Sequence, residues 1–182
     1  MKYLQDGKMF SMPEDAPTTI EERLQRLDDQ FKVRECLAQY TYYCDHCDPV
    51  GAASCFTKTA RICWGAEYPV VEGEDAILAH FSEIWSSGCP ISLSHLTFNN
   101  HVWFKCPDCA VLYSCLHAWK RFEGQSDDYY CYSRYELELH REDGEWRIDS
   151  MMFIQAGEIG GDRLGEYFDR PWPIEAIPRT IE

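Results

Sequence analysis

The chain has no apolar run close to the roughly 20 residues that a membrane-crossing helix needs, and its longest uncharged stretches are interrupted by Asn, His, Ser and Pro. Met1 to Pro17 does not read as an export signal, having no sustained apolar region ahead of a small-residue cleavage site, so none is expected. Basic charge is scarce. Seventeen Lys and Arg stand against 31 Asp and Glu, a formal net charge of −14, and such a field repels phosphate backbones and anionic headgroups. Nucleic acid and membrane are excluded as expected partners, and the cytoplasm is the expected compartment.

Cysteine and aromatic residues are plentiful by contrast: ten Cys, 11 Tyr, nine Phe and six Trp. A chain of 182 residues can bury one sizeable core, and the cysteines fall inside periodic helix and strand patterns. Most are therefore expected to be reduced, buried, small apolar residues. Two pairs, Cys44-Asp-His-Cys47 and Cys106-Pro-Asp-Cys109, carry zinc-like spacing. Cys106-Pro-Asp-Cys109 reads as a turn between two long strands, with His95 eleven residues back on the incoming one. At about 3.3 Å per residue the turn stands some 35 Å from His95, too far for the two pairs to share an ion if Cys44 and Cys47 neighbour His95. A site at one pair alone lacks evident further ligands, so no metal is expected.

Residues 1–18 mix Gly, Pro and charge without period and read as an arm. Thr18 or Thr19 ahead of Glu21 and Glu22 is a helix start, and Leu24, Leu27, Phe31, Leu37 and Tyr40 recur at near-helical spacing up to about Cys47. A short helix over Val50 to Phe56, a strand over Ala60 to Gly65 and a third helix over Gly73 to Trp85 follow. The period then changes to long strands over about 92–105, 109–123, 128–141 and 145–155. They are separated by hairpin turns at Cys106-Pro-Asp-Cys109, Gly124-Gln-Ser-Asp127 and Glu142-Asp-Gly-Glu145. Helices first and a strand meander afterwards predict an α+β fold, one curved, mostly antiparallel sheet wrapped over about three N-terminal helices. The domain is expected over 19–157, with 158–182 an extension that covers a pocket mouth or reaches a neighbouring subunit.

Alternation over 92–104 places His95, Thr97, Asn99, His101 and Trp103 on one face of the first long strand. A polar ladder of this kind suits a ligand cavity. Asp45 closes the first helix, where a negative charge opposes the macrodipole and needs a local partner; a His supplies one. Tyr129, Cys131, Ser133, Tyr135, Leu137 and Leu139 share a face of the third long strand, an amphipathic lining suited to a fused-ring or aromatic compound. His117 is a candidate second pocket imidazole and Tyr43 a further lining residue, whereas His46, His80 and His140 read as surface.

Three segments carry a resemblance to a known family: the helix end Tyr40-Thr-Tyr-Tyr-Cys-Asp45-His-Cys-Asp48, the strand Ser94-His95-Leu-Thr-Phe-Asn99-Asn-His-Val102, and the hairpin Arg141-Glu-Asp-Gly-Glu-Trp146-Arg-Ile148. Over about residues 20–157 the chain resembles the SnoaL-like branch of the nuclear-transport-factor-2-like superfamily, whose fold is a cone-shaped α+β barrel. Its scytalone dehydratase, dehydrochlorinase and bile-acid 7α-dehydratase branches imply Asp45 orienting His95 as base, with Tyr40 polarising a carbonyl. Where scytalone dehydratases carry two tyrosines this chain carries Cys44 and Trp64; Ser133 matches the family, and Tyr135 replaces an Asn. The resemblance implies a cofactor-independent dehydratase working on a small molecule, with substrate-binding positions at Tyr43, Trp64, Asn99, His117, Ser133 and Tyr135 and a homodimer or homotrimer. An isomerase or cyclase using the same pair, a non-catalytic binding protein and a structural partner remain open.

Overall fold

The computed structural model describes residues 17–65, 68–86, 88–124 and 128–159. The expected arm, apart from Pro17 and Thr18, the expected extension beyond Ile159, and Gln125 to Asp127 of the middle hairpin turn lie outside the described residues. Helix α1 spans Ile20–Asp45, α2 Pro49–Ser54 and α3 Glu74–Ser86. The strands are β1 Phe56–Cys63, β2 Val71–Glu72, β3 Ser92–Cys106, β4 Cys109–Arg121, β5 Tyr129–Glu142 and β6 Glu145–Ile159. They form one six-stranded sheet in the order β2-β1-β6-β5-β4-β3. The α+β expectation holds, but the sheet is not closed: β2 and β3 are its two edges. Every neighbouring pair is antiparallel except β1 with β6, so the mostly antiparallel expectation also holds. No described helix is long and apolar enough to cross a membrane.

Helix α1 starts on a reciprocal cap, in which the Glu22 backbone N–H donates to Thr19 Oγ1 and the Thr19 N–H donates to the Glu22 carboxylate, both at 3.1 Å. Its buried side is Asp29, Val33, Cys36, Leu37, Tyr40, Thr41 and Cys44, recurring at three and four residues. Leu24, Leu27 and Phe31, expected on that side, are exposed. The helix carries two stripes, and the one with Asp29 faces the sheet because Arg141 and Trp146 satisfy that carboxylate.

Hairpin signals in the sequence are matched closely. Asp143 and Gly144 both take positive φ, 52° and 86°, the backbone a two-residue turn between right-twisted strands requires. Cys106 and Cys109 face each other across a two-residue corner. Strict alternation fails on β3, however. Between Phe98 and His101 the register slips, with Asn99 at φ 55°, and such a bulge reverses which residues face the core. His95 and Thr97 are inward before it, Val102 and Phe104 after it, while Leu96 and Phe98 are half exposed.

On the outer face, Glu136 is buried at 9% exposure, with one carboxylate oxygen unpartnered among the described residues. Burial raises its pKa, offset in part by Arg134. A raised folded-state pKa adds stability only at acidic pH and loses it as pH rises through that value. Glu136→Gln should therefore stabilise the protein at neutral pH by about 1 kcal/mol. The advantage should shrink on acidification toward the ordinary Glu range, which urea unfolding at several pH values will measure.

Candidate active site

The turn after α1 is built locally. Cys47 adopts φ 50°, and the N–H groups of Cys47 and Asp48 donate back to the carbonyls of Cys44 and Tyr43. Asp48 then caps α2 by accepting from the Gly51 N–H at 2.9 Å, with Pro49 in the first turn. This reversal leaves Asp45 at the helix end, directed at β3.

Asp45 receives two donors from one residue. His95 Nδ1 donates to Asp45 Oδ1 at 2.6 Å, and the His95 backbone N–H donates to Oδ2 at 3.2 Å. The pair is neither sealed nor fully solvated, with side-chain exposures of 12% for His95 and 23% for Asp45. A carboxylate on Nδ1 fixes the proton there, which leaves Nε2 as the basic nitrogen. The interaction also offsets the unfavourable charge of Asp45 at a helix C-terminus.

Tyr40, one and a half turns before Asp45, points into the core at 1% exposure. Its ring meets Phe56 edge-on at 5.5 Å, Tyr135 at 6.0 Å and Phe81 at 6.1 Å. The Cys44 thiol and the Tyr135 phenol are the polar groups that act on the Tyr40 hydroxyl. Burial pushes both phenols well above the usual range, so each stays protonated and can act as a hydrogen-bond donor but not as a base.

Cross-strand register brings small inward residues beside His95. Ala118 pairs with it, Cys131 with Ala118, and Ser133 with Leu116 one row along. Ser133 is buried and its Oγ lies 2.8 Å from Cys131 Sγ. Trp64, at the far end of β1, packs on Phe153 at 5.6 Å and on His80 at 5.7 Å. The indole Nε1 of Trp64 and Nε2 of His80 are both buried without a hydrogen-bond partner among the described residues.

Three expected lining residues stand elsewhere. His117 lies on the outer face, since β4 turns Ala110, Leu112, Ser114, Leu116 and Ala118 inward; it stacks on Tyr132 at 4.7 Å. Asn99 is exposed at the β3 bulge. Tyr43 packs over Gly51, where an added Cβ would collide with its ring, so its position serves the α1–α2 contact. His80, expected at the surface, is half-buried beside the β2–α3 groove, and burial lowers its pKa. Its place next to Phe81, on the Ile77–Phe81 stripe of α3, was the available signal. A groove of about 490 Å³ opens between β2 and α3, against Val71, Ala76 and His80. None of its lining residues belongs to the Asp45–His95 pair.

An open curved sheet over three helices, with a helix-end Asp clamped to a strand His, defines the class of small cone-shaped α+β proteins to which this chain is assigned. The sequence matches the SnoaL-like domain over residues 25–152, and the chain belongs to that family. Among solved structures, a putative scytalone dehydratase from Novosphingobium aromaticivorans is 18% identical, with 74% of this chain and 89% of that one covered at a TM-score of 0.69. The hexachlorocyclohexane dehydrochlorinase LinA-type3 of Novosphingobium barchaimii is 15% identical, with coverages of 82% and 99% and a TM-score of 0.67. ActVI-ORFA of Streptomyces coelicolor is 15% identical, with coverages of 72% and 98% and a TM-score of 0.62. At these identities the likeness is one of fold. No curated protein matches the chain.

Proposed function

We propose that this protein is a cofactor-independent dehydratase acting on a small, largely apolar polycyclic or aromatic hydroxy-carbonyl compound. The observation that carries the reading is the 2.6 Å contact between His95 Nδ1 and Asp45 Oδ1. His95 Nε2 removes a proton from the carbon next to the carbonyl, and Asp45 stabilises the imidazolium that forms. Negative charge moves onto the carbonyl oxygen, where Tyr40, backed by Tyr135, supplies a hydrogen bond. The enolate electrons then close a carbon–carbon double bond as the β-hydroxyl, protonated by the imidazolium, leaves as water. Trp64 and Ser133 contact the substrate skeleton.

Two similar structures, named as a putative dehydratase and a dehydrochlorinase, support elimination over other uses of an enolate. An isomerase or cyclase would use the same pair and differ only in how the enolate is quenched. The near-complete cover over Tyr40 and Tyr135 favours a second reading, a non-catalytic binding protein. The test is a panel of hydroxy-carbonyl compounds incubated in D₂O with the protein and with His95→Ala. Loss of water, absent in His95→Ala, is expected, because the enolate collapses to the alkene without taking a deuteron at the α-carbon. Deuterium entry without loss of water would redirect the reading to an isomerase or cyclase. Saturable binding with neither change, unaltered in His95→Ala, would leave the binding protein.

A further inference from the structure

We propose that Cys109, Glu138 and His140 form a binding site for a divalent transition-metal ion, best suited to zinc, with Cys106 placed to supply a fourth ligand. The sequence offered Cys106-Pro-Asp-Cys109 without partners; the fold provides them. Cys109 begins β4 and stands in direct register with His140 on β5, and Glu138 lies two residues before His140 on the same outer face. One ligand atom from each of the three falls within 4.8 Å of the others. Cys106 faces Cys109 across the corner of the β3–β4 hairpin.

The spacing is close to that of a coordination polyhedron. Tetrahedral zinc, with bonds of about 2.3 Å to sulfur and about 2.0–2.2 Å to nitrogen or oxygen, places its ligand atoms about 3.4–3.6 Å apart. Glu138 Oε1 lies 3.5 Å from Cys109 Sγ and 3.2 Å from His140 Nε2. A thiol, an imidazole and one carboxylate oxygen are the mixed donor set that zinc accepts, and the sulfur disfavours magnesium or calcium.

The surrounding groups hold these ligands in place. Lys105 Nζ donates to Glu138 Oε2 at 2.5 Å, which leaves Oε1 turned toward the thiol and the imidazole. The other nitrogen of His140, Nδ1, lies 3.8 Å from Asp149 Oδ2, and Asp149 is itself fixed by Thr57 Oγ1 donating at 2.7 Å. Asp149 is the extra residue of the β6 bulge opposite Glu138 and Leu139, a distortion of the kind that redirects a side chain. A carboxylate behind the non-ligating nitrogen is the usual support of a metal-bound His. Cys109, Glu138 and His140 are all partly exposed, so an ion can enter. Binding displaces the Cys109 thiol proton to solvent and leaves His140 neutral.

The cluster stands seven to nine residues along β5 from Cys131, which lies in the same cross-strand row as His95, about 23–30 Å, and is independent of the proposed dehydratase chemistry. The full chain, reduced and stripped with a chelator, should bind Zn²⁺ one-to-one in competition with a chromophoric chelator, and Co²⁺ should give a thiolate charge-transfer band. Cys109→Ser, His140→Ala and the isosteric Glu138→Gln should each weaken binding by at least about 100-fold with unchanged near-ultraviolet circular dichroism. Cys47→Ser and His95→Gln should leave binding unaltered. Affinity no tighter than millimolar, a Co²⁺ spectrum without the thiolate band, or binding equal in wild type, Cys109→Ser and Glu138→Gln would overturn the proposal.

Discussion

His95→Gln is expected to lower kcat on a hydroxy-carbonyl substrate by about 10²–10⁴, the span that a positioned general base contributes and roughly 3–5 kcal/mol of barrier. The substitution is chosen for what it keeps. The His95 backbone N–H that donates to Asp45 Oδ2 at 3.2 Å remains, so the end of α1 stays tied to β3. A Gln amide can still donate to Oδ1 but offers no nitrogen lone pair to take a proton. The KM should therefore change little while kcat falls. Asp45→Asn attacks the same unit from the other side. An amide no longer fixes the proton on Nδ1 and no longer stabilises an imidazolium, so its loss should be of similar order. The double variant should be scarcely worse than either single one, because the two residues act as a unit. Rates within about threefold of wild type for His95→Gln would sink the proton-transfer reading.

Tyr40 calls for a different expectation. It is 1% exposed and its ring lies among Phe56, Phe81 and Tyr135. Catalysis and packing therefore overlap there in a way they do not at His95. Removing only the hydroxyl, as in Tyr40→Phe, separates the two.

The parts of the fold that local chemistry dictates were legible in the sequence. The Thr19 and Glu22 cap, the Asp143-Gly144 corner and the change of period before β3 each depend on residues adjacent in the chain. Asp45 and His95 were legible for another reason: a carboxylate at a helix C-terminus needs a partner to offset the macrodipole, and the family resemblance pointed to the strand His. What escaped depends on cross-strand register or on competition between faces. Leu24, Leu27 and Phe31 outweigh Asp29 on any hydropathy count, yet the buried side of α1 is chosen by the ligands waiting for Asp29. A one-residue slip at Asn99 removed that residue from the ladder. His117 was misplaced because the inward phase of β4 is set by its pairing with β5. His140, read as surface, has a side chain 42% exposed; its place opposite Cys109 came only with the register.

Asp29→Ala should be strongly destabilising, because Asp29 is the point at which the first helix and the last hairpin are joined. At 4% exposure its Oδ1 accepts from Arg141 Nη2 at 2.7 Å, from Trp146 Nε1 at 3.1 Å and from Gln25 Nε2 at 3.3 Å. The Arg141 guanidinium also lies 4.9 Å from the Trp146 ring centroid and pairs with Asp108 at 2.9 Å. Deleting the Asp29 carboxylate leaves a buried indole N–H and a partly buried cation facing an apolar void, a loss of about 3–5 kcal/mol. For a chain of this length that is on the order of 10 °C in Tm. The cost arises mainly from what is left unpaired, so pairing Asp29→Ala with Arg141→Met should recover part of it, whereas two independent contacts would simply add. Thermal unfolding of the four members of that cycle measures the coupling. A loss below about 1 kcal/mol for Asp29→Ala would mean that the apolar contacts of Val33, Leu37 and Tyr40 hold α1 in place without the ion pair. The choice between the two faces of the helix would then need another cause.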